Sequence, residues 1–219
     1  MTERQVNLIA ITVFICTLGA LLTPLLPAAA GFLAGGVLLL LGLATADAWV
    51  WQSQGLTLLL SLWPTPDERV VYHEAGHFLV AHLLGIPISD YTLSAWSSWR
   101  RGYPPAAAGV RFGAIPPELW PRCPVLWLAG MAAEELVYGQ AQGGATDWHQ
   151  ASVFLAAFPP AERAWRLRAA QREARQLLQQ HWSAYLALVT AMRQQQSVAD
   201  CLKRLNEMCA APPTPAAPA

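Results

Sequence analysis

The chain has 219 residues, of which 54% are hydrophobic and 13% are charged, and its formal net charge is zero. Such an apolar composition is unusual for a soluble domain and suggests a membrane-attached protein, and without a basic excess we expect no nucleic-acid partner. Lys203 is the only lysine and lies outside any Gly-Lys-Ser/Thr sequence, so this chain holds no P-loop ATPase.

The first feature along the chain is a run of 40 residues, Asn7 to Ala46, that contains no charged side chain. This is about twice the length that one helix of roughly 20 residues needs to cross a bilayer. Pro24 and Pro27 fall in its middle, where they interrupt helical hydrogen bonding and favour a turn. We therefore predict a two-helix transmembrane hairpin with spans near Leu8–Thr23 and Ala28–Ala46.

After the hairpin, the apolar stretch Gly55–Leu62 is too short to cross a membrane and suits a segment that lies at the membrane interface. Three tryptophans flank it: Trp49, Trp51 and Trp63. We assign residues 1–63 to the membrane hairpin and this interfacial segment. The two spans predict an integral membrane protein. From the few cations near the spans, we expect the domain that follows to lie on the cytoplasmic (or stromal) face.

A helix is predicted next, from an N-cap at Thr65 or Asp67 to about Leu84. Acidic residues follow the cap, and Gly85 and Pro87 are typical of a helix end. The length and the caps therefore define one helix of about five turns before the next break.

This helix carries the motif His73-Glu74-Ala75-Gly76-His77. Residues four positions apart lie on one helix face, so both imidazoles can bind a single metal ion. Glu74 is rotated by about a hundred degrees from His73 and can reach an activated water without binding the metal. This spacing is typical of hydrolytic zinc sites with Glu74 as general base, and a helix with two incidental histidines is the alternative.

The segment from Ile88 to Phe112 combines aromatic and apolar residues around a break at Gly102–Pro105. We interpret this pattern, which includes Trp96 and Trp99, as two short strands or an irregular hairpin. A strand edge beside a cleft could pair with an extended peptide, and a hairpin that serves only packing is the alternative.

An apolar helix rich in small residues is predicted for Pro124–Tyr138, packed closely against the helix of the histidines. Gly139–Gly144 interrupts the chain, and Thr146 can cap a new helix whose first turn carries Asp147. A carboxylate in the first turn of a helix suits both the helix dipole and metal binding.

The remainder is predicted to be helical, with a long amphipathic helix from Pro160 to about Gln195 and a shorter helix from Ser197 to Met208. Arginines on or near one side of the long helix are expected to be solvated or, alternatively, to contact anionic lipid headgroups. These are Arg163, Arg166, Arg168, Arg172 and Arg175. The Pro/Ala-rich tail 210–219 is expected to be disordered.

Three ordered segments resemble the signature regions of the FtsH-type zinc peptidase domain, whose patterns are HEAGH, AGRxAEExxFG and TGAxxD. The segments that carry the resemblance are Tyr72–His77 (YHEAGH), Ala129–Gly139 (AGMAAEELVYG) and Gly143–Asp147 (GGATD). Ala151 and Ser152 follow the last segment at the place where the family has Ala-Thr, four residues after its aspartate. The likeness covers about residues 67–155. It implies that the domain is a peptidase and that its site lies between these segments.

By this resemblance His73, His77 and Asp147 are the zinc ligands, and Glu74 is the catalytic base. Three protein ligands leave a fourth position for water, which zinc activates at neutral pH. The activity implied is hydrolysis of peptide bonds in protein or peptide substrates.

The chain departs from the family in three respects. The ATPase module is absent, Met131 replaces an arginine, and Thr146 replaces an asparagine. The likeness therefore implies a stand-alone, membrane-anchored relative without an unfolding motor. A homo-oligomer and a separate ATPase partner are both compatible with it.

Together these features predict a mainly α fold, in which the transmembrane hairpin precedes a mostly helical zincin-type peptidase domain with a small β hairpin. We assign residues 64–158 to the zinc peptidase core, 159–209 to its C-terminal helical part and 210–219 to the tail. The predicted function is that of a membrane-anchored zinc-dependent endopeptidase that does not use ATP in this chain.

Several alternatives stay open. A site-2-type intramembrane protease would use Asp47, at the edge of the second span, instead of Asp147. A membrane scaffold could retain the peptidase fold without catalysis. Glu134 or Glu135 could bond to a ligand histidine or serve as the third ligand. The other histidines of the domain are expected on helix surfaces or in the core: His82, His149 and His181.

Overall fold

The computed structural model describes residues 67–103 and 108–209, together with eight helical positions between Val13 and Leu39. The chain divides into two compact units, Met1–Leu62 and Trp63–Ala219. Apart from those eight positions, the predicted membrane hairpin lies outside the described residues, as do the interfacial segment and the tail 210–219. Within the described part of the chain, no helix has the length and hydropathy needed to cross a bilayer.

The second unit is mainly helical, as predicted, and contains one two-stranded antiparallel sheet. Its elements in chain order are α1 (Glu68–Leu83), β1 (Ile88–Thr92), α2 (Ala95–Arg100), β2 (Gly109–Phe112), a 3-10 helix (Pro117–Arg122), α3 (Cys123–Trp127), α4 (Ala129–Tyr138), α5 (Ala145–Phe154), α6 (Pro160–Gln180), α7 (Trp182–Arg193) and α8 (Val198–Cys209).

Helix α1 is the central element of this unit and is buried over most of its length. Its N-cap is Asp67, whose Oδ1 accepts a hydrogen bond of 3.1 Å from the Arg69 N–H. Leu84 ends the helix, and Gly85 follows with φ +70°, a conformation that glycine adopts without strain. Both predicted ends of the helix are confirmed to within one residue.

Helix α4 packs closely against α1, as the small residues of the sequence predict. A Cβ atom at Gly76 would lie 2.8 Å from the Ala129 carbonyl oxygen and 2.8 Å from the Ala133 Cβ. Only glycine therefore permits this approach between the two backbones. The prediction of one helix over Pro124–Tyr138 is wrong, because the chain breaks at Leu128. The two halves have different neighbours. Helix α3 packs mainly against α5 and α6, whereas α4 packs mainly against α1 and α6.

The predicted hairpin is present, with Tyr91 opposite Val110, but the connection between its strands contains helix α2. The interpretation of Trp96 and Trp99 as part of a strand pattern is therefore wrong. Ser94 provides the reason, because its side chain and that of Ser97 form a reciprocal capping box that ends the extended segment and starts a helix.

The predicted long helix from Pro160 to Gln195 is also wrong as a single element, since it breaks at His181. After the break, α7 packs against α1 and α8, and the Tyr185 hydroxyl donates a 2.7 Å hydrogen bond to the Tyr72 carbonyl of α1. Tyr185 is fully buried, so this tertiary contact outweighs the continuous helical propensity of the segment.

Candidate metal centre

His73 and His77 lie one turn apart on the buried face of α1 and are 9% and 7% exposed. Their Nε2 atoms are 3.1 Å apart. The spacing of four residues thus directs both rings to one point, as the sequence predicts.

Asp147 reaches the same point from the first turn of α5. Its Oδ2 lies 3.1 Å from His73 Nε2 and 3.5 Å from His77 Nε2. The helix begins at Gly144, with φ +86° and no side-chain cap, so the prediction of Thr146 as the cap is wrong. A Cβ at Gly144 would overlap the Met131 side chain, and this close packing sets where α5 begins.

The three donor atoms have the spacing of ligands around one metal ion. Their separations are 3.1, 3.1 and 3.5 Å. Donors at about 2.0–2.1 Å from a tetrahedral zinc ion lie about 3.3–3.4 Å from one another. The group of His73, His77 and Asp147 can therefore hold a metal ion.

Hydrogen bonds on the far side of each ring set the tautomer of both histidines. His77 Nδ1 lies 2.9 Å from the Leu126 carbonyl oxygen, which only accepts, so Nδ1 donates. His73 Nδ1 lies 2.7 Å from Glu134 Oε1 and donates to that carboxylate. When neutral, both rings thus present an Nε2 lone pair to Asp147, and a shared cation would relieve the repulsion among these acceptors.

Glu134 connects His73 to the loop that leads to Asp147. The Glu134 residue is 1% exposed, and its carboxylate accepts hydrogen bonds from the Gln142 N–H at 2.9 Å and the Gly143 N–H at 3.2 Å. Arg69 adds an ion pair at 2.8 Å. Burial raises the pKa of Glu134, but the bonds from His73, Gln142 and Arg69 outweigh burial and lower this pKa to about 2.

The two adjacent glutamates of α4 therefore differ in role. Glu134 bonds to the nitrogen of His73 that faces away from the donor cluster, whereas Glu135 accepts a 2.7 Å hydrogen bond from Gln171 of α6. Neither belongs to the group of donors that converge on the candidate metal position.

Two glycines make room for the His73 ring and for the Glu134 carboxylate that bonds to it. A Cβ at Gly130 would overlap the imidazole, and a Cβ at Gly143 would lie 2.7 Å from Glu134 Oε1. Sequence reasoning missed Gly130, Gly143, Arg69 and Leu126 as contributors to the site. The sequence places both glycines in or next to the segments that resemble the family's motifs. A glycine in such a position is equally typical of a turn or of a close contact between helices.

Glu74 adjoins the two histidines and is 6% exposed. The Val110 N–H of β2 donates a 3.0 Å hydrogen bond to Glu74 Oε2. Burial raises the pKa of Glu74, while the charges of His77 and His73 and the Val110 bond oppose this rise. A carboxylate with a raised pKa accepts a proton more readily at neutral pH than an ordinary glutamate.

The electrostatics of the metal-free cluster favour a proton on His73. Burial lowers its pKa, but the hydrogen bonds to Asp147 and Glu134 outweigh burial and raise this pKa to about 10. Burial also raises the pKa of Asp147, but the hydrogen bonds to His73 and His77 outweigh burial and hold this pKa well below its usual range. Proton and metal therefore compete for the same nitrogen.

The other candidate residues lie away from this cluster. His149 is exposed, His82 and His181 are half-buried, and none of them belongs to the group of converging donors found among the described residues. Asp47, the ligand that an intramembrane site would need, lies outside the described residues.

No family model matches the chain, and no curated protein matches it. The functional assignment therefore depends on the residues of the site itself. The likeness to FtsH-type peptidases, which three short motifs carry, stays a hypothesis.

Proposed function

We propose that this protein is a membrane-anchored, zinc-dependent endopeptidase that hydrolyses peptide bonds with Glu74 as general base and without an ATPase module in the same chain. The observation that carries the proposal is the convergence of His73, His77 and Asp147 on one point, with Glu74 beside the two imidazoles. The first and third of the motifs that resemble FtsH-type peptidases supply the residues of this cluster, in the same order along the chain.

The donor set favours zinc as the metal. Two imidazole nitrogens and one carboxylate oxygen, at separations that fit tetrahedral geometry, are typical of catalytic zinc sites with three protein ligands. Zinc in such a site is a Lewis acid that activates a water molecule and polarises a carbonyl group.

The protein's own part in the reaction is a proton transfer by Glu74. Its Oε2 is held by the Val110 N–H, and its Oε1 makes no hydrogen bond within the described residues, so we assign Oε1 as the proton acceptor. Glu74 takes the proton from the attacking water and delivers it to the nitrogen of the leaving amine. Because Glu74 is nearly buried, few other waters compete for this proton.

The membrane anchor in this proposal depends on the sequence. The charge-free run from Asn7 to Ala46 has the length of two spans, and no other segment of the chain has this character. The partners implied are protein or peptide substrates and a lipid bilayer.

The test uses the full-length protein purified in detergent, with casein as substrate and zinc bound. We expect hydrolysis by the wild type and a loss of about 10²- to 10⁴-fold in Glu74→Gln, because general-base catalysis contributes rates of this order. Zinc content should be unchanged in Glu74→Gln, since this side chain is not a ligand. Glu135→Gln is the matched control and should keep full activity, because within the described part of the chain its side chain bonds to Gln171 and not to the donor cluster.

Two outcomes would contradict the proposal. A wild-type protein that holds zinc and cleaves neither casein nor a library of unstructured peptides would favour a scaffold with a structural metal. Equal activity in the wild type and Glu74→Gln would remove Glu74 from the mechanism.

A further inference from the structure

Helix α2, which connects β1 to β2, presents two tryptophans to solvent. Trp96 is 37% exposed and Trp99 is 51% exposed, and they lie three residues apart on one helix face. Their ring centroids are 5.0 Å apart with planes inclined at 35°, so the two indoles form one continuous apolar surface. We call Trp96 and Trp99 the tryptophan pair.

The opposite face of α2 is fixed to the sheet, so the tryptophan pair is held outward. The buried Ser98 shares a 2.7 Å hydrogen bond with Thr92 of β1. Arg101 forms an ion pair with Asp90 and donates a 3.0 Å hydrogen bond to the Tyr91 carbonyl. With its capping box at the start and these contacts at its end, α2 is fixed through residues other than the two indoles.

The chemistry around the tryptophan pair matches a bilayer surface. Tryptophan is enriched at membrane interfaces because its ring is apolar and its N–H is polar. Arg100 is exposed next to the pair and belongs to no ion pair within the described residues, so it is free to contact an anionic headgroup. The charge-free run Asn7–Ala46, expected to lie in a bilayer, is joined to α1 through residues 47–66, which keeps a bilayer within reach.

We infer that the tryptophan pair and Arg100 form a membrane-docking surface, which inserts the two indoles into the interfacial layer of a phospholipid bilayer and places Arg100 against anionic headgroups. This contact does not depend on the proposed peptidase activity. It is an interaction of α2 with lipid and is separate from the predicted transmembrane hairpin.

Docking of α2 has a consequence for substrates, and this step rests on the proposed function. Helix α2 lies between β1 and β2 in the chain, and Val110 of β2 contacts Glu74. A bilayer that holds α2 therefore holds the hydrolytic site close to its surface. The substrates are then polypeptide segments that lie at or emerge from the membrane.

The test measures tryptophan fluorescence of the full-length protein reconstituted in vesicles of phosphatidylcholine and phosphatidylglycerol, with and without brominated acyl chains. Subtracting the emission of the double variant W96F/W99F from that of the wild type isolates the tryptophan pair. The control is W120F/W165F, which removes two tryptophans of similar exposure, 55% and 57%, from other parts of the surface.

We expect the difference emission of Trp96 and Trp99 to be blue-shifted and quenched by brominated lipid, and that of Trp120 and Trp165 to be much less quenched. Arg100→Glu should reduce the quenching of the pair in vesicles that contain phosphatidylglycerol and change it little in pure phosphatidylcholine. Circular dichroism of each variant shows that the fold is retained.

Two results would overturn the inference. Difference emission of the tryptophan pair that is red-shifted and unquenched would place the indoles in water. Emission that is blue-shifted but insensitive to brominated lipid would mean that protein, such as a second copy of the chain, covers them. Cleavage of a soluble peptide is a separate measurement, so failure of docking and failure of the proposed peptidase activity are distinguishable.

Discussion

Glu134 Oε1 lies 2.7 Å from His73 Nδ1, and through this contact one carboxylate joins a candidate ligand to the loop that precedes Asp147. Both oxygens of Glu134 accept hydrogen bonds: Oε1 from His73 and Gly143, and Oε2 from Arg69 and Gln142. Glu134 thus connects α1, which carries both histidines, to the loop before α5, which carries Asp147, although Glu134 does not itself face the metal position.

The first prediction concerns Glu134→Gln. A glutamine has one acceptor oxygen and one amide NH2, so the NH2 must face at least one of the N–H donors that now surround the carboxylate. We expect zinc affinity to fall about 10- to 100-fold, the usual effect of losing a partner of a ligand histidine. Competition with a chelator of known affinity measures the change.

Glu135→Gln is the control for this variant, because Glu135 is adjacent in sequence but bonds to Gln171 on α6. It should bind zinc as the wild type does. Equal zinc affinity in Glu134→Gln and the wild type would show that Glu134 does not orient His73.

The second prediction concerns Gly130→Ala. The added Cβ would overlap the His73 ring, which cannot move away without losing its bond to Glu134. We expect zinc to be lost and the free energy of unfolding of the metal-free protein to fall by about 1–3 kcal/mol, as for other overpacked sites. Zinc analysis and urea unfolding measure the two effects.

Gly109→Ala is the matched control, since a Cβ there meets no atom within 4 Å. It should leave zinc binding intact. A Gly130→Ala protein with normal zinc content and normal stability would mean that the ring does not occupy the position described.

The third prediction is that metal binding releases a proton. The pKa of His73 in the metal-free protein is raised from 6.5 to about 10, so at pH 7.5 the ring carries a proton that must leave before Nε2 binds a metal. We expect about one proton per zinc, and an apparent affinity that rises about tenfold per pH unit below pH 10. Calorimetry in buffers of different ionisation enthalpy counts the protons.

The same shift predicts how the stability of the metal-free protein depends on pH. A pKa raised on folding adds stability that is fully present below pH 6.5 and is lost as the pH rises through about 10. The free energy of unfolding should therefore fall between these values without metal and fall less with zinc bound. For the proton release on zinc binding, a binding enthalpy that does not change with the ionisation enthalpy of the buffer would contradict a protonated His73.

Local sequence rules predicted the part of the site that lies within one helix. The i, i+4 spacing places His73 and His77 on one face, and Asp67 and Gly85 define the ends of α1, because these features depend on helix geometry and caps alone. The position of Asp147 came from the resemblance to a family, since no local rule connects it to a helix 70 positions earlier.

The details that the sequence did not predict depend on tertiary packing. Glu134 and Glu135 are neighbours, and only the packing of α4 between α1 and α6 decides which one meets His73. The break at His181 carries no proline or glycine and arises from the contact between Tyr185 and α1. Helix α2 was missed because aromatic residues favour strands, whereas the capping box at Ser94 starts a helix.

The most direct test of the account is metal analysis of the purified full-length protein beside the variants Asp147→Ala and Asp47→Ala. We expect about one zinc per chain in the wild type and in Asp47→Ala, and loss of zinc in Asp147→Ala, because Asp147 Oδ2 lies within 3.5 Å of both histidine Nε2 atoms. Full zinc content in Asp147→Ala, or loss of zinc in Asp47→Ala alone, would contradict the proposed ligand set.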